Sequence, residues 1–326
     1  MSIIFQSKTM LQTLSQAQRY ARSSMSILLC GESGTGKELV ARQIHQESPR
    51  QTQPYVRVNC AAFSETLFES ELFGHEAGAF TGATLRRSGR FENAAAGTLF
   101  LDEVGEIFPA MQPKFLRVLE EREFQRVGGN ETLQFAGRII AATNRDLEQE
   151  VKTGRFREDL YHRLNVLTLW LPPLRDRRED IPALVQHFIR LAQPELERPV
   201  KGVTRQVMQK LCEHEWPGNV RELKNTVLRF CILSNSEVVD HVELPSTPEV
   251  LCIQADAAAT ELPALFENLS LAEIERQVIL HRLRIFRGNK TEAAAALGVT
   301  PRTLRNKVSH YRKLGFVGGP SVKKIA

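Results

Sequence analysis

The stretch Gly31-Glu32-Ser33-Gly34-Thr35-Gly36-Lys37-Glu38 constrains this chain more than any other. The apolar run Ile27-Leu28-Leu29-Cys30 before it reads as a short buried strand, and Leu39-Val40-Ala41-Arg42-Gln43-Ile44 after it has helical spacing. Strand, glycine-rich loop and helix, in that order, is the setting of a phosphate-binding loop. The glycines let backbone N–H groups turn toward a polyphosphate, the helix N-terminus adds partial positive charge, and Lys37 reaches the outer phosphates. Glu38 stands where such loops ordinarily carry a magnesium-binding Ser or Thr, so a metal there has to lean on other groups. The alternative is a plain glycine-rich turn joining strand to helix.

A chain of 326 residues has room for two or three domains. No apolar run approaches a bilayer span, and no secretory signal opens the sequence. The five cysteines are scattered without a C-x-x-C pair, which fits free thiols in a reducing cytoplasm better than disulfides or zinc. Charge is uneven. Residues 263–326 hold twelve Lys and Arg against four Asp and Glu, a balance of +8, which leaves −3 for the rest of a chain whose total is +5. A near-neutral body with a basic tail suggests an enzyme or scaffold carrying a nucleic-acid module; a solvated basic face is the alternative.

Met10, Leu14, Ala17 and Ala21 recur at helical spacing ahead of the first strand. Tyr55 to Cys60 reads as a second strand, with Asn59 at its end as a cap or a group facing a nucleotide. In Gly78-Ala79-Phe80-Thr81-Gly82-Ala83 a lone aromatic sits among small residues, which predicts an exposed loop tip built for a partner; a hairpin with Phe80 folded back is the alternative. The strand Gly97 to Leu101 ends in Asp102 and Glu103, one acid to hold a magnesium shell and one to polarise an attacking water; two acids capping the next helix is the alternative. A helix is expected from Pro109 to Glu121, kinked or delayed by Pro113, followed by a flexible loop over residues 126–131. Ile139 to Asn144 is a buried strand with a polar end suited to sensing a γ-phosphate. Arg157 and Arg163 lie six apart, off a common helix face, and so serve different partners as arginine fingers or as ordinary surface arginines.

Leu171-Pro172-Pro173-Leu174 marks a subdomain boundary, after which only helices are expected: Ile181–Ala192, Thr204–Glu213 and Asn219–Ser234. Asn219 and Glu222 have capping-box spacing, and Arg221 in the first turn opposes the helix dipole, which hints at a nucleotide contact. Periodicity is lost over 236–263, a linker. Leu271, Ile274, Val278 and Ile285 then mark a helix. A short helix from Asn289, a glycine turn and a basic helix from Pro301 make a helix-turn-helix, with Leu304, Val308 and Tyr311 inward. Thr300, Arg302, Thr303, Arg305, Asn306 and Lys307 face outward for bases and phosphates of DNA; an ordinary helical hairpin is the alternative.

Taken together, these pieces resemble the bacterial enhancer-binding proteins, the sigma-54-dependent transcriptional activators of the AAA+ ATPase class. GESGTGKE with its Glu38, GAFTGA at 78–83, GTLFLDE, ATNRDL, GRFREDLYHRLNV, LPPLRDR and WPGNVRELKN all match that family's motifs, and GAFTGA is the most specific. The resemblance implies an α/β P-loop subdomain over 1–170, its parallel sheet sandwiched by helices. It further implies an all-α lid over 171–240, a linker over 241–262 and a Fis-like helix-turn-helix over 263–326. It implies ATP and Mg2+ held by Gly31 to Glu38, Asp102 on the metal and Glu103 as base. Asn59 is then the switch, Asn144 the first sensor, Arg221 the second sensor, and Arg157 and Arg163 trans-acting fingers. GAFTGA, with Phe80 and Thr81 at its tip, would touch sigma-54 on RNA polymerase, and the loop at 126–134 would lie beside it. A ring of subunits, a dimer on enhancer DNA and restraint by a separate protein also follow from the resemblance. Two readings compete with it: another AAA+ remodelling machine, and a DNA-binding regulator with a vestigial NTPase fold.

Overall fold

The computed structural model describes residues 3–196, 198–234, 236–242, 244, 271–286, 289–296 and 299–313. They fall into two units, residues 1–245 and 246–326.

In the first unit α1 (Lys8–Ala21), β1 (Ile27–Cys30), α2 (Lys37–Gln46) and β2 (Tyr55–Asn59) come in the expected order. They are followed by α3 (Glu65–Phe73), the short strands β3 (Gly74–His75) and β4 (Arg87–Ser88), α4 (Arg90–Ala94) and β5 (Thr98–Asp102). Then come α5 (Gln112–Glu121), the hairpin β6 (Glu123–Gln125) and β7 (Thr132–Gln134), β8 (Arg138–Thr143), α6 (Leu147–Lys152), α7 (Glu158–Leu164) and β9 (Leu167–Trp170). Five strands form one parallel sheet in the order β2-β5-β8-β1-β9.

Strand alternation sends Ile27 and Leu29 to one face, where they pack with α1 and α2, and Leu28 and Cys30 to the other, with α3, α5 and α7. Both faces are therefore covered, which is why these strands read as continuous apolar runs. Arg138, 1% exposed, donates to the carbonyls of Tyr20, Ala21 and Met25 and so closes the C-terminal end of α1.

The boundary at the paired prolines is sharp. Leu171 packs in the α/β core and Leu174 in the core of the following subdomain. That lid contains α8 (Ile181–Ala192), α9 (Arg205–Glu213) and α10 (Asn219–Leu233). It also contains a parallel two-stranded ladder, β10 (Gly202–Val203) with β11 (Val238–Val239), so it is not all helix. Two-residue strands are too short to show alternation in a sequence. The lid also outlasts residue 240: Val242 is 7% exposed and, with Leu244, packs on its core, so the linker begins later than 241.

Pro113 delays α5 and does not kink it. Residues Pro109–Met111 form a 3₁₀ turn, and Pro113 occupies the first turn of the α-helix, where its missing N–H would have no intrahelical partner. The loop expected at 126–131 is the tip of the β6–β7 hairpin. Arg126, 4% exposed, pins it by pairing with Glu76, Glu92 and Glu131.

The second unit holds α11 (Leu271–Ile285), α12 (Lys290–Ala296) and α13 (Pro301–Lys313). Its core is Ile279, Ala293, Ala294, Leu304, Val308 and Tyr311, with Leu283 and Phe286 against it. Val278, assigned from sequence to the apolar face of α11, is 41% exposed; the buried stripe runs one residue later, through Ile279 and Leu283. Most of the expected linker lies outside the described residues.

Candidate functional site

The phosphate loop, both strand-end acids and the two asparagines expected at a nucleotide sit at the C-terminal edge of the parallel sheet, where open α/β sheets bind ligands. The loop 31–36 leaves β1, Asn59 ends β2, Asp102 ends β5 and Asn144 follows β8. Register makes two of these neighbours explicit: Asn59 pairs with Asp102, and Cys30 with Thr143.

Gly36, at φ +103, is the N-cap of α2 and supplies no side chain to its first turn. A Cβ at that position would meet nothing within 4 Å. The cap therefore leaves the start of α2 without a side chain over it, as an anion cradle requires. The Lys37 ammonium lies back over the loop and donates to the carbonyls of Gly31 (2.6 Å) and Glu32 (2.9 Å). Burial lowers its pKa, and the nearby Asp102 and Glu103 oppose that shift. Glu38 is engaged by Arg57 from β2.

Burial raises the pKa of Asp102, opposed chiefly by Lys37. Glu103 has left-handed backbone angles, φ 57 and ψ 47, and leads a 3₁₀ turn, Val104–Glu106, without capping it through its side chain. A non-glycine residue held in that region is strained, and such strain clusters at functional sites. Asn59 Oδ1 accepts from the N–H of Ala61, so it caps the turn after β2 while sitting beside Asp102. Asn144 is exposed.

The lid grips the loop. Capping-box spacing makes Asn219 the expected helix cap, but Gly218 is the N-cap of α10 and Glu222 reaches back to the Gly218 N–H at 2.8 Å. Asn219 itself has φ +52 and is fully buried. Its Nδ2 donates to Glu32 Oε2 and to the Ser33 carbonyl, both at 3.0 Å, and its Oδ1 accepts from the Leu174 N–H at 2.7 Å. Arg175 forks onto Glu32 at 2.6 and 2.9 Å, Arg177 donates to the Thr35 carbonyl, and Arg221 reaches Ser33 Oγ at 3.1 Å. Capping-box spacing hid the role of Asn219, and for Arg175 and Arg177 no local pattern pointed to the loop.

The two candidate finger arginines are apart, as their spacing indicated. Arg157 is the N-cap residue of α7 and pairs with Asp159, whereas Arg163 pairs with Glu120 of α5. Phe80 does not project. It is half-buried with its ring edge-on to His75, centroids 5.0 Å apart, while Thr81 is exposed and Leu85 is 77% exposed. The exposed apolar side chain of this loop is thus Leu85. The loop base is tied to the hairpin by Glu76 N–H to the Val127 carbonyl and by Arg126 to Glu76.

On α13 the residues Arg302, Thr303, Arg305 and Asn306 are exposed opposite the buried Leu304 and Val308. Lys307, expected to be an outward phosphate ligand, is only partly exposed and bonded to both oxygens of Glu275 on α11. Thr300 caps α13 by accepting from the Thr303 N–H.

Family models match in chain order: the sigma-54 interaction domain over residues 3–170, the AAA+ ATPase lid domain over 175–257, and a bacterial regulatory protein of the Fis family over 270–311. The transcriptional regulatory protein ZraR of Salmonella typhimurium is 50% identical over 307 residues, which covers 94% of this chain and 68% of ZraR. The Nif-specific regulatory protein of Azotobacter vinelandii is 46% identical over 320 residues, 96% of this chain and 60% of that protein. Among solved structures, NtrX from Brucella abortus in complex with ATP matches with a TM-score of 0.69 at 35% identity, covering 95% of this chain and 69% of NtrX. The chain thus spans roughly two thirds of the length of these relatives. With the loop, the strand-end acids, the lid and the DNA-binding helices all in their places, the chain belongs to the sigma-54-dependent transcriptional activators, AAA+ proteins that carry a Fis-type helix-turn-helix.

Proposed function

We propose that this chain hydrolyses ATP and uses the cycle to drive the GAFTGA loop against sigma-54, remodelling a closed promoter complex to an open one from enhancer DNA. The observation that carries the reading is the meeting of Lys37, Asp102, Glu103 and Asn59 at one sheet edge with the lid's Arg221 on the phosphate loop. The bound triphosphate is held by loop and first-turn N–H groups and by Lys37, which exchanges its loop carbonyls for phosphate oxygens. Mg2+, when bound, neutralises charge on the phosphate oxygens; Asp102 would hold it. One carboxylate with phosphates and waters suffices for magnesium, so the absence of a cluster of acids among the described residues does not count against it.

Glu103, aimed by its strained backbone, orients a water and takes its proton. Asn59, beside Asp102, reports the γ-phosphate to the segment that leads toward α3 and the loop, and Asn144 senses it from β8. In a ring of subunits, Arg157 and Arg163 reach the neighbour's phosphates as fingers, and Arg221 closes the site from the lid. Coupling requires that ATP or its transition state bind the loop-raised form preferentially. Arg302, Arg305 and Asn306 read the enhancer, bound as a dimer on a two-fold site.

The test is open-complex formation by purified sigma-54 polymerase with ATP, comparing wild type with Thr81→Ala. Opening by the wild type alone, with equal ATP hydrolysis in both, is expected. Opening by neither, with hydrolysis intact, would assign the ATPase another target.

A further inference from the structure

Gln112, at the start of α5, is 1% exposed, and its side-chain amide joins segments that are far apart in sequence. Nε2 donates to the carbonyl of Ile107 at 3.1 Å and to that of Arg155 at 3.0 Å, while Oε1 accepts from the N–H of Arg157 at 2.8 Å. Both amide protons and the oxygen are therefore used. Ile107 ends the 3₁₀ turn that Glu103 begins, and Arg157 begins α7. The catalytic turn and the arginine segment meet on one side chain.

A residue needed only to start α5 would cap its own first turn, but α5 has no side-chain cap and the Gln112 amide serves other segments. A second route runs parallel on the outside, from Glu106 to Arg145 (2.5 Å), Arg145 to Glu150 (3.5 Å) and Glu150 to Arg155 (2.7 Å). Arg145, the middle link of that route, is 39% exposed and 3.5 Å from Glu150, so the route is weak and salt-screened there. The buried amide is the stiff connection, because breaking it strands donors and acceptors away from water.

We propose that Gln112 is a positioning residue that couples the turn after Glu103 to the backbone of Arg157, so that each subunit's own catalytic turn sets how it presents its arginine to the neighbouring site. The inference rests on the trans-acting role proposed above for Arg157. Gln112→Met keeps length and loses every hydrogen bond. We expect its nucleotide affinity to stay within about threefold of wild type and its turnover to fall on the order of 10²-fold, the scale of a misplaced catalytic group.

Mixed rings locate the defect. Glu103→Gln mixed with Arg157→Ala is the control: each alone is inactive, and mixing restores hydrolysis only if Arg157 acts across the boundary. If this pair stays silent, the trans role fails and the coupling falls with it. Given restoration in the control, Gln112→Met must regain hydrolysis when mixed with Glu103→Gln, which lends it a well-placed arginine, and must not when mixed with Arg157→Ala. The reverse pattern would place the defect in the variant's own pocket and overturn the proposal, as would restoration with both partners or with neither. Gln112→Asn, which keeps the amide and shortens its reach, repeats the test if the methionine variant does not fold.

Discussion

Two glycine-rich loops of similar length define this molecule, and they are held in opposite ways. In the phosphate loop the carbonyls from Gly31 to Thr35 all accept hydrogen bonds: from Lys37 and Thr35 within the loop, and from Asn219, Val220 and Arg177 in the lid. In GAFTGA the hydrogen bonds of residues 78–83 close within residues 76–84, as Gly78 to Ala83 and Ala83 to Phe80 illustrate. Among the described residues, the ring contact of its aromatic is with His75, on the loop's own stem. The first loop must present fixed dipoles to a ligand and gains from over-determination. In the cycle proposed above the second has to change position with the nucleotide state, and closure by a few local hydrogen bonds suits it to that. Under that proposal, a modest preference for one nucleotide state can move GAFTGA without disturbing the phosphate loop.

The largest effect expected at the gripped site is on turnover. Arg157→Ala should leave nucleotide binding near wild type and cut the hydrolysis rate of assembled rings by about 10³ or more, measured at saturating ATP. A rate near wild type would remove Arg157 from the chemistry.

The comparison of loops can be broken directly with one substitution in each. A Cβ at Gly34, φ +78, would lie 2.3 Å from the Gly218 carbonyl, while one at Gly82, φ +104, meets nothing within 4 Å. Gly34→Ala should cost about 3–5 kcal/mol, from backbone strain and overpacking together, and Gly82→Ala about 1–2 kcal/mol from strain alone, in urea unfolding of unit 1–245 within the full chain. Equal costs would mean that the lid does not press on the loop.

Asn219→Ala should destabilise by roughly 2–3 kcal/mol, since it strands the Leu174 N–H and leaves an alanine at a positive φ. It should also weaken ATP binding in a fluorescent-nucleotide titration.

The smallest effect is pH-dependent. The Arg175 fork holds the Glu32 carboxyl below its ordinary value of 4.5, aided by Asn219 and Lys37 and opposed by burial. A depressed folded pKa means that this contribution is full above the unfolded value and disappears as pH falls through the folded one. Melting curves of wild type and Glu32→Gln should therefore differ near neutrality and converge as pH drops below about 4.5. A constant difference across that window would show that the pair contributes through packing alone.

Legibility in the sequence followed locality. Strand β1, the loop and α2 were readable because period, glycine and lysine lie within twenty consecutive residues. The strand-end acids were readable because a buried strand rarely ends in two carboxylates without cause. The resemblance then supplied roles for Asn59, Asn144, Arg157 and Arg163 that their spacing alone left open. Local signals misled where a residue meets its partner only through the folding of the chain. Asn219 has cap spacing with Glu222 but bonds to residues 32, 33 and 174. Phe80 looks stranded among glycines until His75 is placed beside it. Lys307 looks free until α11 brings Glu275 to it.

The sequence by itself determined the strand–loop–helix at the phosphate site, the buried strand that ends in two acids, the main lid helices and the basic helix-turn-helix, because each is encoded in short-range periodicity or a contiguous motif; the parallel sheet followed from the family those motifs resemble. Only the tertiary structure decided that the lid clasps the loop through Asn219, Arg175 and Arg177, that Arg126 anchors the second hairpin, and that Gln112 ties the catalytic turn to the arginine segment. Those are hydrogen bonds, buried or partly buried, between residues up to 187 positions apart. Satisfying a buried polar group is a condition on three-dimensional neighbours, which no local pattern records.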